Sequence, residues 1–178
     1  MKRVYRIHVC SGAPQLQCWP PGKEAEVLKE FDGTDKAPLS PNQPFVGKLN
    51  RRPDSPRHFC NPGVGALAIP SDAWAQDVDT LFYCCCMGSE LLSVSTELGG
   101  FHVVNLTSFY PAVGLADWND RPPCFVSRFH CSILRIEGQP KTDLFCVSGF
   151  GDGDEFKAAY EKYGFQGLLF EEIWSEGN

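Results

Sequence analysis

Proline is unevenly distributed along this 178-residue chain, and its distribution restricts the fold more than any other feature of the sequence. Most of the 14 prolines lie in residues 14–62. Because proline fixes φ and removes a backbone donor, we predict that this segment contains neither a long helix nor a central strand. We interpret it as a long irregular region with one short helix near residues 23–31. The regular elements are therefore expected mainly elsewhere in the chain.

Short strands account for most of the remaining sequence. Apolar, aromatic and β-branched residues predict strands at 4–9, 82–87, 90–97 and 101–107. A turn that contains glycine and proline separates residues 125–136 from residues 143–148, which predicts that these two segments form a hairpin. The last predicted strand, 167–174, is apolar on both faces, which is typical of a central strand that is covered on both sides.

Two helices are predicted beside these strands. One runs over residues 72–81. The other is capped by Asp152 or Asp154 and ends before Gly164, which follows as the C′ residue. The sequence thus predicts one α+β domain over residues 1–178, with a mostly antiparallel or mixed sheet and a few short helices.

The composition is that of an ordinary globular protein without a membrane span. Hydrophobic residues make up 43% of the chain and charged residues 21%, and no apolar run approaches the roughly 20 residues that cross a bilayer. Charges interrupt the N-terminal residues, so the apolar core of a signal peptide is missing. The net charge of −6 argues against binding to nucleic acid or an anionic membrane, because either would require a basic face.

Nine cysteines raise the question of disulfide bonds. Their number is odd, no export signal accompanies them, and Cys84, Cys85 and Cys86 are consecutive. Successive residues of a strand point to opposite faces, so this triplet cannot present all three thiols to one partner. We therefore expect reduced, mostly buried thiols and a cytoplasmic protein.

The residue pattern gives little support to metal, thiol or phosphate chemistry. No Cys-x-x-Cys unit occurs, and His130 and Cys131 are adjacent and should diverge on a strand, so no metal is expected. Cys10 precedes a Ser-Gly-Ala-Pro loop and is the thiol that we would test for nucleophilic catalysis. Residues 149–153 are rich in glycine but lack the Lys and the Ser or Thr of a phosphate-binding loop. We expect no catalytic residue and no cofactor. The basic residues Lys48, Arg51, Arg52 and Arg57 are interpreted as part of a solvated loop.

The last third of the chain carries a pattern that composition does not explain. A strand over residues 144–148 leads into an acidic turn, residues 155–157 open a helix, and residues 163–174 close the pattern with Tyr-Gly-Phe-Gln-Gly-Leu-Leu-Phe-Glu-Glu-Ile-Trp. Residues 101–107 and 116–118 are similar to a middle strand and the acidic turn after it. With these segments the chain resembles the immunity-protein domain of bacterial polymorphic toxin systems, a family first defined by a myxobacterial member.

The resemblance implies a non-catalytic cytosolic protein that binds and neutralises a cognate toxin domain. An acidic protein suits a basic toxin such as a nuclease. Two other interpretations stay open, namely a small cytosolic thiol-dependent enzyme and a general protein-interaction module. The acidic turns supply the candidate partner-binding residues, which are Asp117, Trp118, Asp120, Asp152 and Asp154.

Overall fold

The computed structural model describes residues 1, 3–33, 44–73, 89–107, 109–110, 133–149 and 156–175. Within these residues the chain forms ten strands and two short helices. The strands are β1 (Arg3–Val9), β2 (Leu16–Trp19), β3 (Phe45–Leu49), β4 (Ala66–Pro70), β5 (Ser89–Thr96), β6 (Gly99–Leu106), β7 (Phe109–Tyr110), β8 (Ile133–Ile136), β9 (Leu144–Ser148) and β10 (Leu168–Ser175). The helices are α1 (Ser71–Ala73) and α2 (Phe156–Lys162).

The strands form two five-stranded sheets. The first sheet has the order β10-β1-β9-β8-β7, and the second sheet has the order β2-β3-β5-β6-β4. Neighbouring strands are antiparallel except for β3 with β5 and β7 with β8, which are parallel. The prediction of a mostly antiparallel or mixed arrangement with a few short helices is confirmed, although the strands are divided between two sheets.

A hydrophobic core joins one face of each sheet and the helix α2. Leu67 and Val104 of the second sheet belong to the same buried cluster as Ile7 of the first sheet. At its centre Phe59 is completely buried, with its ring centroid 6.3 Å from that of Phe156 in α2. Because side chains alternate along a strand, the neighbouring residues of each sheet supply two further clusters on the opposite faces.

Arg135 of β8 ties the two sheets together. Its side chain is completely buried, and its guanidinium donates hydrogen bonds to backbone carbonyls and to one side-chain amide. Burial lowers the pKa of Arg135 to about 10, while the carboxylates of Asp32 and Asp143 oppose this shift, so the group stays protonated at neutral pH. Its acceptors are Leu106 O at 2.5 Å, Phe31 O at 3.0 Å, Gly65 O at 2.5 Å, Asn105 Oδ1 at 3.1 Å and Lys141 O.

The prediction for the proline-rich segment was wrong in two respects. β3 lies inside residues 14–62 and is a central strand, because it pairs with β2 on one side and with β5 on the other. No proline occurs within Phe45–Leu49, so an average over the whole segment concealed a sequence that can form a strand. Residues 23–31 form a turn at residues 24–25 and two isolated bridges instead of a helix, and the N–H of Leu28 donates to Cys18 O at 2.8 Å. That bond draws the backbone towards the outer edge of β2.

The last strand also differs from its prediction. β10 has a described neighbour only on the side of β1, so within the described residues it ends the first sheet. The side chain of Leu169 is 57% exposed, and Glu171 and Glu172 are exposed as well. A register shift opposite Val4 and Tyr5 interrupts the alternation along the strand. The apolar sequence predicted a central strand covered on both faces, whereas among the described residues β10 ends its sheet and exposes several side chains.

The other predicted elements agree with the structure where it describes them. β1, β5 and β6 occupy the predicted strand positions, and β8 pairs with β9 as the predicted hairpin. Gly164 follows α2 with φ of +68°, as expected of a C′ glycine. Residues 82–87, most of the predicted helix 72–81 and the start of the predicted strand 125–136 lie outside the described residues, and so do the predicted caps Asp152 and Asp154.

Candidate binding groove

One face of the second sheet is covered by the hydrophobic core at some strands and exposed at the others. Leu67 of β4, Val104 of β6 and Leu91 of β5 lie opposite one another across the three strands. Directly opposite residues share a face, yet the exposed fraction is 2% for Leu67, 3% for Val104 and 44% for Leu91. The hydrophobic core thus covers this face at β4 and β6 and leaves it uncovered at β5.

The uncovered side continues onto β3 and β2. Val46 of β3 pairs with Ser95 of β5 and with Trp19 of β2, which places these three side chains on one face. Val46 is 39% exposed, and Trp19 is half-buried. A tryptophan and a valine side chain therefore adjoin each other on an open sheet surface.

A groove forms where β5 turns away from β3. Pairing between these strands ends at Val46 and Ser95, although β3 continues to Leu49. The chain reverses immediately after β5, because the hydroxyl of Thr96 accepts the N–H of Leu98 at 3.1 Å and donates to Gly99 O at 2.8 Å. On the side away from β2, the last residues of β3 consequently have no strand paired with them within the described chain.

The groove has a volume of about 590 Å³. This volume lies in the range of about 300–1,000 Å³ that is usual for ligand sites. Val46 and Leu98 give it apolar walls, and Leu98 is 47% exposed at the tip of the β5–β6 turn. The complete lining is Trp19, Val46, Gly47, Lys48, Leu49, Ser95, Thr96, Glu97 and Leu98.

Two opposite charges lie on the two sides of this groove. Lys48 projects from β3 and Glu97 from the β5–β6 turn, and both residues are exposed. The ion pairs among the described residues include neither of them. Both charges are therefore available to groups of a binding partner.

Alternation of the β3 backbone directs further polar groups towards the groove. Leu16 N donates to Asn61 O and Leu28 N donates to Cys18 O, so the backbone groups of Leu16 and Cys18 point away from β3. Their partners on β3 are Leu49 and Gly47, whose backbone groups must then point towards β5. Beyond the last β3–β5 pair, these groups face the groove.

Trp19, which lines the groove, carries an indole donor that no described residue uses. Its Nε1 atom is buried and has no hydrogen-bond acceptor in the part of the chain that the structure describes. A buried donor without an acceptor costs about 1–3 kcal/mol.

The structure gives no position for the candidate partner-binding residues chosen from the sequence. Asp117, Trp118 and Asp120 belong to residues 111–132, and Asp152 and Asp154 belong to residues 150–155, all of which lie outside the described residues. These assignments stay predictions. The groove residues escaped sequence analysis, although Gly99 and Gly100 indicated a turn close to Leu98.

The described thiols are of two kinds. Burial raises the pKa of Cys18 to about 12, and it also raises that of Cys60 to about 12, so both thiols are protonated at neutral pH. Cys10 is half-buried, and its N–H donates to Gly167 O at 2.8 Å. The side chain of His58 packs against the same glycine, but no hydrogen bond joins His58 to Cys10. The cysteines at 84–86 lie outside the described residues.

The predicted basic loop is not a single cluster. Lys48 lines the groove, whereas Arg51 lies 3.2 Å from Asp54 and donates to Gly12 O. Arg57 donates to Tyr163 O at 2.9 Å, which anchors the loop to the end of α2. Arg52 is exposed. The solvated-loop interpretation therefore fits Arg52 and, in part, Arg51, but it does not fit Arg57.

Metal and membrane features were sought in the same described segments. No group of three or more His, Cys, Asp or Glu side chains there is arranged to hold a metal ion. None of the helices in that part of the chain is both long enough and apolar enough to cross a bilayer.

No protein-family model, curated protein or solved structure matches this chain. The resemblance to the immunity-protein domain therefore remains a prediction from the sequence.

Proposed function

We propose that this chain is a non-catalytic protein that binds a cognate toxin domain and neutralises it by covering it. The observation that carries the proposal is the open half of the second sheet, where Trp19, Val46 and Leu98 line one groove without a covering layer from the described chain. Single exposed apolar residues are common, but a contiguous set of them around a groove is typical of an interaction site. Protein binding is thus the function that the geometry supports best.

The chemistry of the surface suits a protein partner. Aromatic anchors surrounded by aliphatic side chains contribute most of the binding energy at many interfaces, and Trp19 occupies such a position. Each square ångström of apolar area that a partner removes from water contributes about 25 cal/mol, from which the costs of association must be subtracted. The assignment of a toxin as the partner rests on the sequence resemblance as well as on this surface. The net charge of −6 favours a partner that is basic.

The decisive experiment is co-expression with the toxin domain encoded beside the gene. We expect a stable complex on size-exclusion chromatography, protection of the cells, and a dissociation constant that isothermal titration calorimetry can measure. Val46→Asp should weaken binding at least about tenfold, because it places a carboxylate in the apolar groove. Val64→Asp is the matched control, since Val64 is 56% exposed and does not line the groove. A toxin that stays lethal and unbound in the presence of the wild-type chain would refute the proposal.

The thiol-dependent enzyme is the competing function, and Cys10 is its best-placed residue. A catalytic cysteine reacts as a thiolate at neutral pH, whereas Cys18 and Cys60, with pKa values of about 12, should react slowly in the folded state. Thiol labelling at pH 7 with Cys10→Ser as the comparison separates the two functions. Rapid labelling that Cys10→Ser abolishes, together with turnover of a substrate, would favour the enzyme.

A further inference from the structure

We infer that the groove binds an extended segment of the partner protein as an additional strand beside β3. The segment carries an apolar side chain between a carboxylate and a basic group, which face Lys48 and Glu97 respectively. This inference rests on the proposed function, because it specifies which part of a protein partner enters the groove. The partner is then recognised through backbone hydrogen bonds and charges as well as through apolar contact.

The backbone of β3 is the first reason for an extended segment. The C=O of Gly47 and both the N–H and the C=O of Leu49 point to the side where β5 has already turned away. An added strand bonds to such groups in the same way as a strand of the sheet, which is the usual mode of peptide recognition at an open sheet edge. A helix could not use these groups, since its own backbone is already bonded internally.

The two walls of the groove are the second reason. The β5–β6 turn continues beside β3 after their pairing has ended, so a segment that enters the groove contacts β3 on one side and Leu98 on the other. Side chains of a strand alternate, so every second residue of the added segment lies on the same face of the sheet as Val46. One apolar residue at such a position would be buried between Trp19, Val46 and Leu98.

The charges determine which segment fits. Lys48 on β3 and Glu97 on the turn are exposed, and neither has an ionic partner in the described chain. A segment with one acidic and one basic residue complements both, whereas a segment with two charges of the same sign meets a like charge at one end. The shape and the backbone thus give affinity, and the charges select the sequence.

The other exposed sheet edge is less suited to this role. β10 is eight residues long and has no described neighbour beyond it, but its exposed acidic side chains are already engaged. Glu171 Oε2 lies 3.0 Å from His8 and 3.7 Å from Arg6, and Glu172 lies 3.5 Å from Arg3. Leu169 on this strand therefore supplies a control position for the groove residue Leu98.

The test is a selection of random phage-displayed heptapeptides on the full-length chain. We expect enriched peptides to carry an apolar residue between one acidic and one basic residue, and to bind Leu98→Asp at least about tenfold more weakly than they bind Leu169→Asp. Failure of any peptide to enrich would overturn the inference. So would enriched peptides that bind Leu98→Asp and Leu169→Asp equally well.

A charge exchange keeps the test valid if Leu98→Asp does not fold. Lys48→Glu combined with Glu97→Lys should weaken the selected peptide about threefold to tenfold, and exchange of the acid and the base within the peptide should restore its affinity. Lys23→Glu with Glu26→Lys is the matched control, because these two exposed residues pair with each other on another part of the surface. If the selected peptide with its original order of charges binds the charge-exchanged variant as tightly as it binds the wild-type chain, the assignment of the charges is contradicted.

Backbone methylation tests the added strand itself. N-methylation of the peptide residues whose N–H groups face β3 should abolish binding, whereas N-methylation of the alternate residues should change it less than about threefold. Equal effects at both sets of positions would mean that the peptide is not an added strand.

The toxin experiment separates failure of this inference from failure of the proposed function. A toxin that binds the wild-type chain and Leu98→Asp equally leaves the neutralising function intact and removes the groove as its site. A toxin that binds neither, while the selected peptides still depend on Leu98, removes the toxin assignment and retains the groove as a peptide site.

Discussion

The two halves of one sheet face differ in what covers them. At β4 and β6 the side chains are buried in the core that joins the second sheet to the first, whereas at β5, β3 and β2 the same face is open. Both halves contain aliphatic residues, so their hydrophobicity does not distinguish them. The difference shows that an apolar strand face contributes its full burial energy to the fold only where another layer of the same chain reaches it.

The largest expected effect comes from breaking the connection that holds the closed half. Arg135→Met should lower the free energy of unfolding by about 4 kcal/mol, because several buried carbonyls would lose their donor at once and each costs about 1–3 kcal/mol. Urea denaturation measures the change. Arg52→Met, at an exposed arginine, is the control and should change stability by less than about 0.5 kcal/mol. Equal stabilities would mean that Arg135 does not hold the sheets together.

A second prediction compares two leucines in the same cross-strand row. Leu67→Ala should lower the free energy of unfolding by about 3 kcal/mol, because it opens a cavity in the buried core. Leu91→Ala should change the same free energy by less than about 0.5 kcal/mol, since Leu91 is 44% exposed. Similar losses for the two variants, measured by thermal and urea unfolding, would show that the open half is covered in solution.

Gly47 gives a smaller effect at the groove. A Cβ atom at this position would lie 2.5 Å from Val94 Cγ1 and 3.1 Å from Gln17 O, on the opposite face from Val46. Gly47→Ala should therefore destabilise the protein by about 2 kcal/mol, and the additional substitution Val94→Ala should recover part of that loss by removing the close contact. If the double variant is as unstable as the sum of the two single variants, steric overlap is not the cause.

The smallest effect concerns the boundary between the two halves. His102 of β6 lies between buried Ile69 and exposed Ser93, and burial lowers its pKa below the ordinary value of 6.5. The unfolded chain then binds a proton more readily, so stability is fully present above about pH 6.5 and is lost as the pH falls towards the folded-state pKa. We expect a loss below about 1 kcal/mol, because the ring is partly solvated. His102→Gln should flatten this part of the pH profile of the melting temperature, and an unchanged profile would assign it to other groups.

Local patterns were sufficient for several elements. β1, β6, the β8–β9 hairpin and the end of α2 at Gly164 follow from alternation, β-branched residues and turn glycines, which act within a few residues. The sequence was misleading where a long-range pairing decided the outcome. β3 became central because β2 and β5 both pair with it, and among the described residues β10 is terminal although both of its faces contain apolar residues.

By itself, the sequence determined that this chain forms short strands with a few helices and that it carries an acidic net charge. Only the tertiary structure decided which apolar faces are covered, and hence that Val46 and Leu98 line a groove while Val104 is buried in the core. The physical reason is that hydrophobic burial depends on what packs against a surface. That second surface comes from residues far away in the chain, whose approach no local pattern encodes.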